Sequence, residues 1–144
     1  MHIPYKEYII SDDKKLLDIA AIKELLSKSY WASSRSEEKV EKSIRNSVCY
    51  GVYDGNKQIG FARVVTDFAT MYWLCDVIVD EAYRGQGIGK KLVESLTSSD
   101  ELKDLSGILG TKDAHELYEQ FHFFTDKERM MRRMPDYTRN AGSH

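Results

Sequence analysis

Residues 77–92, VIVDEAYRGQGIGKKL, run from an apolar β-forming stretch through three alternating glycines, Gly85, Gly87 and Gly89, into a helical repeat that opens at Ile88. Without a Cβ these positions reach torsions and close approaches closed to other residues, so successive N–H groups can face one concavity at a helix N-terminus. That is an anion site. Three alternating glycines also make an ordinary tight turn, and Arg84 and Lys90 read either as phosphate partners or as solvated charges. Two nucleotide motifs are excluded: a Walker loop needs Ser or Thr after its lysine, where this chain has Lys91, and a dinucleotide fingerprint needs GxGxxG, where the spacing here is GxGxG.

The flanking chain supplies a layered fold. Residues 5–10 read as a strand, and Ser11-Asp12-Asp13 as capping residues for a helix over 14–28 with Leu16, Ile19, Ala20, Leu25 and Leu26 on one stripe. A second helix is expected over 34–46, with Glu37 and Glu38 in the first turn and Val40 and Ile44 four apart. Residues 48–53 and 58–66 flank Asp54-Gly55-Asn56, a hairpin signal, and 71–79 continues the meander. Beyond the glycine turn, a helix through Leu96, a short strand over 105–110 and a helix over 113–121 follow, the last with Ala114, Leu117, Tyr118 and Phe121 on one face. The order β-α-α-β-β-β-α-β-α predicts an α/β (α+β) fold, a mixed sheet with helices on both faces.

A chain of 144 residues fits one domain, here 1–144 with a core over about 5–131 and a tail from 132 that ends in a solvated NAGSH. A net charge of −2 argues against coating nucleic acid or an anionic membrane. Cys49 and Cys75 lie in apolar stretches without ligand spacing, which predicts buried thiols in a reducing compartment. Four scattered histidines suggest no metal. The start, MHIPYKEYII, lacks the basic and apolar regions of a signal peptide, and no segment nears the roughly 18 apolar residues of a membrane span, so a cytoplasmic location is expected.

Arg84, Gly87 and Gly89 after the apolar strand resemble the [R/Q]xxGxG/A motif of the GNAT superfamily of N-acetyltransferases, and Ala114-His115-Glu116-Leu117-Tyr118 through Phe123 is similar to that family's A-x-x-L-Y-x-x-x-G-F helix. The resemblance implies a splayed, mostly antiparallel sheet of order β-α-α-β-β-β-α-β-α-β and acetyl-CoA as acetyl donor. Its pyrophosphate would lie on Gly85, Gln86, Gly87, Ile88, Gly89 and Lys90 beside Arg84, and its pantetheine arm along Val77, Ile78 and Val79. A backbone N–H near Val77 would polarise the thioester carbonyl. Thr111 stands where the family often has an asparagine that bonds the arm, and His122 where it usually has glycine.

Acetyl transfer to an amine needs a neutral nucleophile, a stabilised oxyanion and a proton for the leaving thiolate. The resemblance assigns the proton to Tyr118. Asp76 is the candidate base, which requires a raised pKa or an intervening water; holding the acceptor's ammonium or making a structural hydrogen bond is the alternative. Cys75, beside it on the central strand, has no local base to make it a nucleophile. By position Tyr30, Trp31, Arg35, Asp67, Phe68, Tyr72 and Cys75 are candidates for holding the acceptor. Asp67 and Asp76 would suit a cationic amine, Arg35 an acidic group. A small-molecule primary amine is the expected acceptor, attacked directly in a ternary complex. A protein or peptide amine, or a non-catalytic acyl-CoA-binding module, is the alternative. The hairpin edge leaves homodimerisation open.

Overall fold

A computed structural model describes residues 1–139; the NAGSH tail at 140–144 lies outside the described residues. The expected first strand is a hairpin, β1 (His2–Tyr5) and β2 (Tyr8–Ser11), turned at Lys6 with φ 53°. A lysine in that torsion carries none of the Gly or Asn signal by which such turns are read. The first helix also starts later than the sequence suggests. Asp13 caps only a 3-10 turn over Lys14–Leu16, and α1 (Ile19–Ser27) begins where Asp18 accepts the Ala21 N–H at 3.1 Å. α2 (Glu37–Arg45) is capped by Ser36 and buries Val40 and Ile44, as its spacing requires.

Next come β3 (Val48–Asp54), β4 (Lys57–Thr66) and β5 (Met71–Val79), a meander whose first turn places Gly55 at φ 57°. α3 (Ile88–Thr97) follows the glycine turn, then β6 (Ser106–Leu109), α4 (His115–Glu119) and a final helical turn α5 (Asp136–Arg139). The six strands form one sheet in sequence order, antiparallel except for the parallel β5–β6 pair. The strand expected after α4 is not formed among the described residues. Residues 127–133, KERMMRR, lack the period-2 alternation that would give a strand one buried face.

α1 and α2 cover one face, where Ile22, Leu26, Val40, Cys49 and Phe61 are buried together; α3 covers the other, with Ile10, Val52, Val64, Leu92 and Leu96. Each such side chain contributes about 1.5–3 kcal/mol on burial. β5 serves both cores because its alternation inverts midway. Tyr72 and Leu74 face α3, but so do Val77 and Val79, while Ile78 joins the α1–α2 side. The inversion sits at a bulge opposite Phe61–Arg63, where Asp76 takes a left-handed φ of 55°. No described helix is long and apolar enough to cross a membrane.

Candidate active site

Two features place a site at the far end of β5. First, β5 and β6 pair only from Met71↔Ser106 to Leu74↔Leu109. Beyond Leu74 the edge of Cys75–Val79 turned away from β4 has no strand beside it among the described residues, so its backbone groups, apart from the Val79 carbonyl that Arg84 occupies, are available to an extended ligand. Second, the glycine turn has the torsions its composition suggests, with Gly85 at φ 84° and Gly87 at φ 78° as the N-terminal cap of α3. The first helical bond at this end is Lys91 N–H to Gly87 O at 3.0 Å. The N–H groups of residues 85–90 meet no acceptor among the described residues, and a Cβ at Gly85 would stand in open space. A row of free donors at a helix N-terminus is an anion cradle.

That cradle is braced from a distance the sequence does not advertise. Tyr5 donates its hydroxyl proton to the Gln86 carbonyl at 2.7 Å, and Tyr8 donates to Gln86 Oε1 at 2.9 Å. Gln86 Nε2 donates to the Tyr83 carbonyl at 3.3 Å. The Gln86 side chain thus points inward as a strut, leaving its backbone N–H for the ligand. Arg84 is exposed, its Nε donating to the Val79 carbonyl at 3.2 Å, and Lys90 is exposed at the mouth of the turn. Ile88 is a buried core residue that contributes only backbone to the turn.

The α1–α2 loop straps the place where β5 and β6 part. Asp76, 4% exposed, accepts from Trp31 Nε1 (2.8 Å), Arg35 Nη1 (2.7 Å) and Arg63 Nε (2.8 Å). On the β6 side, the Lys112 N–H donates to the Tyr30 hydroxyl at 3.0 Å, and the Lys112 ammonium lies 5.5 Å from the centre of that ring. Tyr30 and Trp31 pack edge to face at 5.0 Å. One loop therefore touches β5 and the segment that follows β6.

This geometry changes the roles expected of several residues. Burial alone would raise the Asp76 pKa, but hydrogen bonds from Arg35 and Arg63 outweigh it and hold the carboxyl below its usual range. A carboxylate so stabilised is a poor base, and we assign Asp76 to holding the loop. Asp67 sits at the β4–β5 turn before Met71, the start of β5, which is itself roughly 16 Å from Asp76 by strand rise. Its oxygens take the Ala69 and Thr70 N–H groups and the Thr70 hydroxyl, which hold its pKa far down. Tyr72 is buried against α3, over Gly107, on the face opposite Trp31 and Arg35. Trp73, which the sequence did not single out, occupies the α1–α2 face instead and is 37% exposed. Burial pushes the half-buried Cys75 thiol up to about 11, so it stays protonated near neutrality. Thr111 Oγ1 accepts the Ala114 N–H at 3.0 Å in the turn ahead of α4, keeping its hydroxyl proton for another partner.

Tyr118 carries a phenol that stays protonated near neutrality. Burial, then the neighbouring Tyr30 and Asp113, push its phenol up to about 12. Its ring meets Phe123 edge to face at 5.9 Å, an arrangement set by the helix end. Phe123 N–H bonds Tyr118 O (3.3 Å) and His122 N–H bonds Glu119 O (3.2 Å). These are the two bonds of a Schellman cap, with His122 left-handed at φ 70°. Glycine adopts that torsion without the strain a side chain brings, about 1–3 kcal/mol, at an entropic cost of roughly 0.5–1 kcal/mol. His122→Gly is therefore expected to stabilise the protein by about 1 kcal/mol, raising Tm by roughly 3 °C in a thermal melt. A lower Tm would mean the imidazole makes a contact that outweighs the strain.

No His, Cys, Asp or Glu cluster among the described residues is arranged to hold a metal. The sequence profile of the acetyltransferase (GNAT) domain matches residues 45–124. A crystal structure from Xanthomonas campestris pv. campestris, of a protein assigned to the GNAT family of acetyltransferases, superposes with a TM-score of 0.85 at 34% identity. That match covers 92% of this chain and 95% of the other. Among curated proteins, an acetyltransferase of Gibberella zeae is 26% identical over 65% of this chain and 64% of its own length. A histone acetyltransferase of Glycine max is 38% identical over 52% of this chain and 35% of its own length. The matched region thus spans less than two thirds of these curated relatives.

Proposed function

Because the chain belongs to the GNAT acetyltransferase family and is an acyltransferase, we propose that it transfers an acetyl group from acetyl-CoA to a primary amine of a small molecule by direct attack in a ternary complex. The observation that carries this reading is the row of free N–H donors over residues 85–90 beside a β5 edge without a partner. The two fit a pyrophosphate joined to an extended, amide-bearing arm. Arg84, Gly85, Gln86, Gly87, Ile88, Gly89 and Lys90 would hold the phosphates, and Val77, Ile78 and Val79 the arm, with the Thr111 hydroxyl as a further donor. Acetyl-CoA supplies an activated acyl group and a thiolate that leaves.

The rest of the chemistry falls to this chain. Tyr118, protonated across the working pH range, holds the proton that the departing sulfur takes. Asp76, engaged by three donors, keeps Trp31 and Arg35 over the mouth and moves no proton, so neutralising the ammonium is left to solvent. A peptide amine is the second reading. It is favoured by the cross-strand pair Val65↔Trp73, exposed on the sheet face beside the strap.

Calorimetry with acetyl-CoA, followed by release of free CoA thiol on a panel of amines, tests the reading. Wild type is expected to bind and to release CoA only when an acceptor is present. In Gly87→Ala the new Cβ would lie 2.7 Å from the Tyr5 hydroxyl at a positive φ, displacing the bond that holds Gln86. Affinity is expected to fall by about 10-fold or more, the worth of one charge-assisted hydrogen bond or a displaced cradle. Absence of binding in the wild type would overturn the proposal. Binding without release on any amine would favour a non-catalytic acyl-CoA module.

A further inference from the structure

The mouth between β5 and β6 is unequally charged in a way that bears on the acceptor. Its two carboxylates singled out for a cation are both closed: Asp76 has three donors, and Asp67 is saturated by its own turn and lies at the other end of the strand. The cations are less fully used. Arg63 spends Nε on Asp76 and Nη1 on Ser47 at 3.0 Å. Arg35 spends Nη1 on Asp76, while its Nε and Nη2 meet no acceptor among the described residues, and its side chain is 24% exposed. Lys112 stands over Tyr30 across the strap. Against Arg35, Arg63 and Lys112 stand Asp76 and the exposed Asp113, leaving one positive charge in surplus.

A guanidinium anchored on one nitrogen, with two more donors turned to solvent, has the planar fork that carboxylates and phosphates match. Asp76 fixes that fork at the bulge of β5, just beyond the last β5–β6 pair. Resting on the acetyl-transfer reading above, we infer that the acceptor is an amine that also carries an anionic group, a carboxylate or a phosphate, which Arg35 holds at the strap while Lys112 adds to the attraction. Polycations are poor acceptors, because the surplus repels them and no open carboxylate faces them beyond Asp113.

The test uses acceptor pairs that differ only in the anion: tyrosine against tyramine for the carboxylate, phosphoethanolamine against ethanolamine for the phosphate, with spermidine as the polycation. CoA release is followed for the intact protein. The anion-bearing member of at least one pair is expected to exceed the counterpart that lacks the anion in kcat/KM by about 10- to 100-fold, the range of a charge-assisted pair, and the responding pair identifies the anion. Arg35→Gln is expected to bring that ratio toward one by raising KM, and Arg35→Lys to restore part of it. Equal rates within both pairs, preference for spermidine, or no turnover with either anionic member overturns the inference. Loss of acetyl-CoA binding by the wild type in the calorimeter would instead overturn the acetyl-transfer reading.

Discussion

Tyr118→Phe is expected to lower kcat by about 100-fold or more, the usual contribution of a positioned general acid, while leaving the affinity for acetyl-CoA unchanged. The hydroxyl makes no hydrogen bond among the described residues, so its removal strands no partner, and the ring keeps its contact with Phe123. Because the phenol is raised to about 12, it is still protonated at the pH where a primary amine of pKa about 10.4 becomes neutral. A 100-fold loss corresponds to about 2.7 kcal/mol of transition-state stabilisation. Equal kcat in wild type and variant would mean that the thiolate takes its proton from solvent. A matching rise in the acetyl-CoA dissociation constant would mean that Tyr118 only shapes the cofactor site.

The second large effect is thermodynamic. Asp76→Asn turns an acceptor-only group into one that presents an amide donor to two guanidiniums. Breaking a buried ion pair from one side costs about 3–5 kcal/mol, and the three side chains are 1%, 13% and 24% exposed. Tm is expected to fall by roughly 10 °C or more. The pH dependence identifies the cause. Asp76 has a folded pKa below its unfolded one, so its contribution is present above the unfolded value of about 3.9 and is lost as pH falls through the folded value. Asparagine resembles the protonated acid, so the melting curves of wild type and variant are expected to begin to converge below about pH 4 and to meet only once pH has fallen below the folded value. A gap that persists there would show that the variant fails for a reason other than charge. The loop should loosen too, and Trp31 emission is the readout, since its Nε1 bonds Asp76 at 2.8 Å.

The parts of the molecule that were legible beforehand are those whose signals are local. Strand, glycine turn and helix follow one another within residues 77–97, and the torsions of Gly85 and Gly87 are the ones their spacing implied. Glu37 and Glu38 in the first turn and Val40 and Ile44 four apart likewise declared α2. What escaped depended on residues that place themselves against expectation. Lys6 and Asp76 adopt left-handed torsions with no glycine to announce them; the first splits a strand into a hairpin, and the second inverts the alternation of β5. Tyr72 was therefore expected at the acceptor and lies under α3, whereas Trp73, its neighbour on the strand, is the more exposed of the two. Asp76 itself looked like a base because Arg35 and Arg63, which claim it, come from a loop and a strand 41 and 13 residues away.

The tyrosine brace on Gln86 also has a meaning in time. Tyr5 and Tyr8 precede the residue they hold by 81 and 78 positions. At about 5–20 residues per second on a ribosome, roughly 4 to 16 s separate their synthesis from that of their partner. Through that interval the first hairpin exists without its far contact. The anion cradle, though encoded within a dozen consecutive residues, takes its final shape only when a hairpin made 78 to 81 positions earlier closes on it.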